Sequence, residues 1–284
     1  EAVGMHEAVA ALHALSKAIR DASRAGLPHD AIKENTAGAY ALHARAPFVR
    51  RLQTWPRGYP GDFETIEYLM GNHIEPPPHT GPYWIDWVAL TCPMSQQHRN
   101  KLGAQAARIA ETCARLPSPR ILSIGCGGCV EWPALGEATR GAFVTLVDVD
   151  AGALDLAKAR LAGVAGVTSH CGDVKRTVAR LCAEQKFDLV ACGGLFDYLQ
   201  DKPAAAAIAG LSMTLEPGGS MFFTNLSDFG EYEYWLEYMA DWRVLRRPEA
   251  EMRALTRLDP TRFDVAMEKD RTGLTWLVDI RRKG

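Results

Sequence analysis

The stretch Ile121-Leu122-Ser123-Ile124-Gly125-Cys126-Gly127-Gly128-Cys129-Val130-Glu131 decides how the second half of this chain folds. A short apolar run passes directly into a glycine-rich turn. Glycines there let a backbone approach a ligand closely, and a following helix would aim its N-terminal amides at polar or anionic groups. The turn therefore favours a nucleotide-like cofactor. A dinucleotide fingerprint would place glycine where Val130 stands, which disfavours a cofactor with a pyrophosphate.

Short apolar runs continue from this stretch to the C-terminus and alternate with segments of helical periodicity. The alternation predicts an α/β fold in which helices cover both faces of a mostly parallel sheet. The last two runs flank a turn at 270–273, which predicts an antiparallel hairpin. The predicted strands are 121–124, 143–147, 166–169, 187–192, 220–224, 263–269 and 274–280.

The first part of the chain has a different pattern. Alanine-rich helical stretches cover 5–24, 29–46 and 97–115, and no run there has the character of a strand. Between them lie the loop-forming sequence 55–63 and the proline-dense segment 75–78. Proline and glycine at this density interrupt helices and are typical of a surface loop or of the opening of a functional site. We therefore predict a helical N-terminal cap over residues 1–116 and a sheet-containing catalytic domain over 117–284.

Composition excludes several classes of protein. Lys and Arg number 32 against 34 Asp and Glu, so no field that attracts phosphates is expected, and nucleic acid is not a predicted partner. The sequence has no run of eighteen apolar residues, so no membrane span is predicted. No signal peptide is predicted either, although the chain starts with Glu and a leader that has been removed stays an alternative. Seven scattered cysteines are typical of reduced thiols, which predicts a cytoplasmic protein.

Carboxylates follow the second and third predicted strands. Asp148 stands about twenty residues after the glycines, where a carboxylate can accept both ribose hydroxyls of a nucleoside. The alternative is that Asp148 or Asp150 caps the helix that begins near residue 151. Asp173 could accept the exocyclic amine of an adenine, or could be only a turn residue. Ligands of open α/β sheets bind beyond the carboxyl ends of the strands, which favours the ligand role for both positions.

The fourth and fifth strands add further polar groups at the same edge. Gly194, Asp197 and Tyr198 follow the fourth strand, where a carboxylate and a phenol beside a tight turn can line the place at which cofactor and acceptor meet. Residues 215–220 should end a helix and turn into the fifth strand, which carries Asn225 to its tip.

The order of these motifs resembles the class I S-adenosylmethionine-dependent methyltransferases, over about residues 119–284. The motifs are Ile-Gly-Cys-Gly at 124–127, Val-Asp-Val-Asp at 147–150, Gly-Asp-Val at 172–174 and Glu-Pro-Gly-Gly at 216–219. More narrowly, the segments 58–63, 194–199 and 237–242 resemble bacterial methyltransferases assigned to 3-hydroxypalmitic acid methyl ester biosynthesis. The resemblance implies a Rossmann-like sheet with an antiparallel C-terminal hairpin, S-adenosylmethionine as cofactor and S-adenosylhomocysteine as product.

The resemblance also implies a cofactor site. Two departures from the family motif are Ser123, where an acidic residue is usual, and Cys129, where the last glycine is usual. A serine offers no negative charge to the cofactor's ammonium group, for which Glu131 and Asp62 are the alternative candidates. The predicted cofactor-binding residues are Ser123, Gly125, Cys126, Gly127, Asp148, Val149, Gly172, Asp173, Val174 and Gly194.

A small-molecule acceptor is expected to bind beside the cofactor, under a lid formed by the helical segment; a dimerisation arm is the alternative for that segment, and the chain is predicted to be a monomer or a homodimer. A carboxylate acceptor needs no general base, whereas an amine, phenol or carbon acceptor must lose a proton. The candidate catalytic bases or orienting groups are Tyr59, Asp62, Asp197 and Tyr198. The predicted substrate-binding residues are Phe63, Tyr83, Trp84, Asn225, Trp235 and Tyr238.

Two alternatives from other classes stay open. Cys126 and Cys129 form a C-x-x-C pair, which is typical of a thiol redox site at a helix N-terminus, or of half a zinc site. No second close cysteine pair and no ligand-like histidine spacing occurs, so no metal is predicted. The other alternative is a non-catalytic nucleoside-binding module, which product formation would distinguish from an enzyme.

Overall fold

The computed structural model of this chain describes residues 4–172, 174–228 and 232–284. Its backbone contacts divide the chain into two compact units, which are described separately. The helical unit comprises Glu1–Gln96 and Phe229–Arg243, and the sheet unit comprises Gln97–Asp228 and Val244–Gly284.

Eleven α-helices and two short 3₁₀ helices occur in the described part of the chain. Their bounds are α1 (Met5–Arg24), α2 (His29–His43), α3 (Pro47–Thr54), α4 (Phe63–Gly71), α5 (Gly81–Thr91), α6 (Pro93–Arg115), α7 (Ala151–Arg160), α8 (Val174–Glu184), α9 (Asp201–Ser212), α10 (Tyr232–Met239) and α11 (Glu249–Leu255), with 3₁₀ helices at Trp132–Thr139 and Phe196–Tyr198.

The sheet unit contains seven strands in one sheet, in the spatial order β3-β2-β1-β4-β5-β7-β6. Strands β1 to β5 are parallel to one another, whereas β7 is antiparallel to both β5 and β6. This arrangement confirms the predicted α/β fold with an antiparallel C-terminal hairpin. The bounds are β1 (Arg120–Ile124), β2 (Phe143–Asp148), β3 (Gly166–Cys171), β4 (Phe187–Cys192), β5 (Leu215–Leu226), β6 (Phe263–Lys269) and β7 (Thr275–Arg282).

The central strands are apolar because both of their faces are covered. In β1, Leu122 and Ile124 belong to one buried cluster, and Ile121 belongs to a second cluster on the other face of the sheet. Successive side chains of a strand point to opposite faces, so a strand covered twice must be apolar throughout. Ile109 of α6 lies in the same cluster as Ile121, which shows that α6 packs against the sheet.

This packing places the unit boundary differently from the predicted division after residue 116. From Gln97 onward α6 groups with the sheet, because Ile109 is buried in its core. The segment that contains α10 groups with the N-terminal helices, since the Trp235 indole N–H donates to His43 Nε2 at 3.1 Å. The role of the N-terminal segment as a lid stays a prediction.

The connection from β1 to β2 was predicted to be helical, and it is a 3₁₀ helix with Pro133 in its first turn and a kink at Gly136, whose φ is 51° and ψ −133°. One other local expectation is wrong. Residues 215–220 were expected to precede the fifth strand, whereas β5 begins at Leu215 and its pairing with β4 shifts register between Phe187 and Leu189. Glycine and proline mark irregular backbone, but tertiary pairing decides whether that backbone becomes a loop or a bulge.

Candidate functional site

The glycine loop after β1 is held against the end of β2 by backbone bonds. The amides of Gly125 and Cys126 both donate to the Val147 carbonyl, at 2.8 and 3.4 Å. Gly125 and Gly127 have φ angles of 57° and 53°, in the left-handed region that favours glycine. Sequence predicted this turn, although the amides that line it belong to the loop itself rather than to an α-helix.

Asp148 ends β2 and is the group that binds this loop from its side chain. The Gly127 amide donates to one carboxylate oxygen at 2.8 Å, and the Asp150 amide donates to the other at 3.0 Å. Burial raises the pKa of Asp148 above its ordinary value, and the two amide bonds oppose that rise. Because a carboxylate has about four acceptor positions, these two bonds leave acceptor capacity for a pair of hydroxyls.

The residues next to Asp148 have separate roles. Asp150 caps α7, since its side chain accepts from the amides of Gly152 and Ala153 at 2.8 and 3.4 Å. The helix-cap alternative therefore applies to Asp150, and not to Asp148. Val149 is 54% exposed, so this predicted cofactor residue is accessible to a ligand.

The end of β3 lies beside Asp148. The Gly172 amide donates to the Asp148 carbonyl at 3.0 Å, and the φ of Gly172 is 136°. Asp173, the residue expected to bind an adenine amine, lies outside the described residues. Val174 begins α8, and its side chain also lies outside the description.

After β4 the chain makes a turn that brings Asp197 into the interior. Asp197 accepts from the Leu226 amide at 2.6 Å and lies 3.8 Å from Lys101 Nζ. Burial raises the pKa of Asp197, and the neighbouring Lys101 opposes that rise. Tyr198, the next residue, is 42% exposed. These two predicted catalytic residues therefore differ sharply in access to an acceptor.

Helix α6 brings two residues to this edge that sequence reasoning did not identify. Gln105 donates from Nε2 to Glu131 Oε1 at 2.7 Å, and a Cβ at Gly193 would lie 2.7 Å from Gln105 Oε1. Lys101 lies one helical turn earlier and is 6% exposed. A signal was available, because Gln97, Lys101 and Gln105 recur at the four-residue spacing of one helix face.

Two polar residues that were predicted to bind a ligand are buried and held by contacts within the sheet unit. Asn225 is fully buried; its amide donates to the carbonyls of Leu226 and Leu245, and its oxygen accepts from Arg247. These bonds occupy the groups that a substrate would need. Ser123 is 2% exposed within β1 and pairs in register with Leu146 and Ala191.

In the helical unit, Asp62 lies at the start of α4. It accepts from the Thr65 amide at 2.7 Å and from Arg51 at 3.1 Å, and its side chain is 1% exposed. Its second oxygen has no hydrogen-bond partner among the described residues. Phe63 lies under the Arg57 guanidinium, 5.3 Å from its carbon, and Tyr59 is half-buried. The predicted catalytic base Asp62 is thus also a helix cap.

The predicted aromatic substrate residues all lie in the helical unit. The rings of Tyr83 and Trp84 are 5.0 Å apart in an edge-to-face arrangement. Trp235 is 3% exposed and bonded to His43, and Tyr238 is 4% exposed with its ring 4.8 Å from His29. Contacts of this kind are typical of core packing, so the roles of these four residues in binding a substrate stay predictions.

The C-x-x-C alternative has weak support. Cys129 is 1% exposed, and a hydrogen bond with Cys126 together with burial raises its pKa well above the ordinary value of a thiol. Reactive redox cysteines require the opposite shift. Within residues 4–172, 174–228 and 232–284, no cluster of three or more His, Cys, Asp or Glu could hold a metal ion. In the same part of the chain, no helix has the length and apolar character needed to cross a membrane.

Comparison with known proteins identifies one family and several curated relatives that match part of the chain. Residues 121–219 match the methyltransferase domain family. A ubiquinone biosynthesis O-methyltransferase of Hahella chejuensis is 34% identical over 117 residues, which cover 40% of this chain and 46% of the relative. Its counterpart in Xanthomonas campestris pv. campestris is 33% identical over 147 residues, 51% of this chain and 56% of the relative. The chain thus spans about half the length of the curated relatives it matches.

Solved structures extend the similarity in fold. A possible exported protein from Bordetella parapertussis superposes with a TM-score of 0.67 at 20% identity, covering 98% of this chain and 97% of that one. Magnesium protoporphyrin IX methyltransferase from Synechocystis PCC 6803, with bound S-adenosylhomocysteine, superposes with a TM-score of 0.51 at 19% identity, covering 67% and 86%. Sequence match and sheet order agree: residues 121–219 match the methyltransferase domain family, and the sheet has the Rossmann-like fold of the S-adenosylmethionine-dependent methyltransferases of known structure.

Proposed function

We propose that this chain transfers a methyl group from S-adenosylmethionine to a small-molecule acceptor. One observation carries the proposal: Asp148, at the end of β2, accepts from Gly127 in the loop after β1. The Asp148 carboxylate, which can accept hydrogen bonds from ribose hydroxyls, and the glycine loop therefore line one crevice at the carboxyl ends of the strands. The loop after β1 also borders the point between β1 and β4 at which the strand order reverses, and open α/β sheets bind ligands at such points.

The residues present fit the cofactor. Asp148 retains acceptor capacity for a ribose, Gly125 and Gly127 place no side chain between the backbone and a ligand, and exposed Val149 offers an apolar surface beside the ribose position. When bound, S-adenosylmethionine supplies an activated methyl carbon on a sulfonium and leaves as S-adenosylhomocysteine. The task of the protein is to align the acceptor and to exclude water.

Tyr198 is the best candidate in the sheet unit for contacting an acceptor, because its side chain is substantially exposed. The bonds of Asp197 favour a supporting role, since this carboxylate holds the Leu226 amide and faces Lys101. Tyr59 and Asp62 stay predicted acceptor-site residues, as does the lid formed by residues 1–116. The names of the curated relatives favour oxygen as the methylated atom, and they give no support to the 3-hydroxypalmitic acid resemblance, which stays a prediction.

The test is isothermal calorimetry with S-adenosylhomocysteine. We expect binding by the wild-type chain, and we expect Asp148→Ala to weaken it by about 10- to 100-fold, because a pair of charge-assisted hydrogen bonds is lost. Asp155→Ala is the matched control, since its side chain is 74% exposed and pairs only with Lys158 in α7 among the described ion pairs. No heat from folded wild-type protein, or equal affinity in the Asp148 variant, would contradict the proposal.

A further inference from the structure

Helix α6 presents a polar face at the point where the sheet changes direction. Gln105 contacts Glu131, which follows the glycine loop of β1, and lies against Gly193, which follows β4. Since β1 and β4 are neighbours in the sheet, Gln105 lies between the ends of the two strands that bound the ligand crevice.

Gln105 has a buried polar atom for which the described residues provide no hydrogen bond. The residue is 5% exposed, and its Oε1 has no hydrogen-bond partner among the described residues, while its Nε2 is committed to Glu131. A buried acceptor without a donor costs about 1–3 kcal/mol, so such atoms usually mark a missing ligand or water. The adjacent Glu131 is also buried, at 7% exposure. A ligand group that donates to Gln105 Oε1 could therefore also pair with the Glu131 carboxylate.

A cation with several N–H donors can donate to Gln105 Oε1 and can also pair with the Glu131 carboxylate. Ser123, the nearest candidate in β1 by motif, carries no charge and is buried within the strand. An ammonium group at this crevice must therefore find its counter-charge elsewhere, and Glu131 is a buried carboxylate after the same loop. Gln105 fixes that carboxylate by its amide N–H and presents its own oxygen beside it.

Lys101 supplies the opposite charge on the same helix face. It precedes Gln105 by four residues, so the two side chains project from the same side of α6, with Cβ atoms about 5–6 Å apart. Its Nζ lies 3.8 Å from Asp197 Oδ2, beyond hydrogen-bond distance, and it is 6% exposed. A buried ammonium with three donors and one loose ion pair has room for an anionic partner.

We propose that Glu131, Gln105 and Lys101 form a site for the zwitterionic amino-acid group of the cofactor. Glu131 and Gln105 receive the α-ammonium, and Lys101 receives the α-carboxylate. The inference rests on the proposed function, and it assigns to a helix outside the matched domain segment a part in recognising the cofactor. Gly193 belongs to the same arrangement, because a Cβ there would lie 2.7 Å from Gln105 Oε1 and would force the Gln105 side chain to shift.

Calorimetry with four ligands tests this assignment on the full chain. The ligands are S-adenosylhomocysteine, its analogue without the α-amino group, its analogue without the α-carboxylate, and 5′-methylthioadenosine, which lacks both groups. We expect Glu131→Gln to weaken S-adenosylhomocysteine by about 10- to 100-fold and the deaminated analogue by about 3-fold or less. Lys101→Met should show the converse pattern, with its loss confined to ligands that retain the carboxylate.

Matched controls separate local from general effects. Glu137→Gln and Lys158→Met change the same residue types at exposed positions and should leave all four affinities unchanged. Gln105→Leu provides an independent variant should Glu131→Gln fold poorly. It should likewise lose affinity for ligands that retain the α-amino group and keep its affinity for the deaminated analogue. Equal losses for the complete and the deaminated ligand would overturn the assignment, as would wild-type affinity in all three variants. Absence of binding to the wild-type chain would instead remove the proposed function as well.

Discussion

Arg247 and Lys101 are both buried cations of the sheet unit, yet their surroundings differ. The Arg247 guanidinium is 2% exposed and donates to the Asp201 carboxylate at 3.0 Å and to the Phe196 carbonyl at 2.9 Å. It also donates to the Leu199 carbonyl and to the Asn225 side chain. Arg247 thereby ties the turn after β4 to the end of β5.

Lys101 has no comparable set of acceptors among the described residues. Its one described ion pair joins Nζ to Asp197 Oδ2 at 3.8 Å. Burial lowers the pKa of Lys101, and the attraction of Asp197 opposes that shift. A buried charge is stable only when it is paired and hydrogen-bonded. The hydrogen bonds of Arg247 are therefore satisfied within the fold, whereas the Lys101 ammonium keeps donors for the ligand proposed above.

Removing Arg247 should have the largest effect on folding. Arg247→Met leaves the Phe196 and Leu199 carbonyls and the Asn225 oxygen buried without their donor, so we expect the free energy of unfolding to fall by about 3–5 kcal/mol. Urea denaturation monitored by circular dichroism measures this change. Arg253→Met is the control, because its exposed ion pair with Glu249 should contribute less than about 1 kcal/mol. A loss below about 1 kcal/mol in the Arg247 variant would remove the basis of the comparison.

Asp86 in the helical unit is an intermediate case, because it is fully buried and its hydrogen-bond donors among the described residues are backbone amides. The amides of Phe48 and Val49 donate to it at 3.2 and 3.3 Å at the start of α3. Burial raises the pKa of Asp86 to about 6, and these two bonds oppose the shift. The folded chain thus holds a proton in a pH range in which the unfolded chain has lost it.

The sign of the resulting pH dependence follows from this proton. Between the ordinary pKa near 3.8 and the raised value near 6, the folded state binds more protons, so stability falls as pH rises through that window. The Asp86 contribution should amount to about 3 kcal/mol or less over the full window. We expect the stability difference between wild type and Asp86→Asn to change with pH in this direction, measured by denaturation from pH 4.5 to 7. Asp30→Asn, at an exposed site, should show no such trend. A pH-independent difference for Asp86→Asn would contradict this account.

The fold was predictable because its determinants are local in sequence. The buried strands are nearly continuous apolar runs, and β6 has the predicted bounds of 263 and 269. The glycine loop and Asp148 were recognisable by their positions after strands. A helix after the loop was predicted but its 3₁₀ type was not, because a helical periodicity over eight residues does not distinguish 3₁₀ from α geometry once Pro133 and Gly136 interrupt it.

The candidate site was less predictable, because burial is a tertiary property. Lys101 and Gln105 are polar residues on a helix, which in sequence has the pattern of a solvent-exposed face. Only the packing of α6 on the sheet makes that face internal. Asn225 was predicted to bind a substrate, whereas its side chain bonds to Arg247 inside the fold. Asp62 stays a predicted acceptor-site residue, and the structure adds that it also caps α4 through Thr65.

The smallest expected change in stability is that of removing the Lys101–Asp197 pair, and it tests most directly how Lys101 differs from Arg247. The double variant Lys101→Met/Asp197→Asn removes both charges of the loose pair and keeps an oxygen at residue 197 for the Leu226 amide. Replacing a poorly bonded buried pair by neutral groups is nearly neutral, since relief of desolvation offsets the lost attraction. We expect the free energy of unfolding to change by about 1 kcal/mol or less, while affinity for S-adenosylhomocysteine falls at least about tenfold. Urea denaturation and calorimetry on the same preparation provide both numbers. A stability loss equal to that of Arg247→Met would make Lys101 a second structural cation, whereas stability retained with affinity lost would show that its charge serves the ligand.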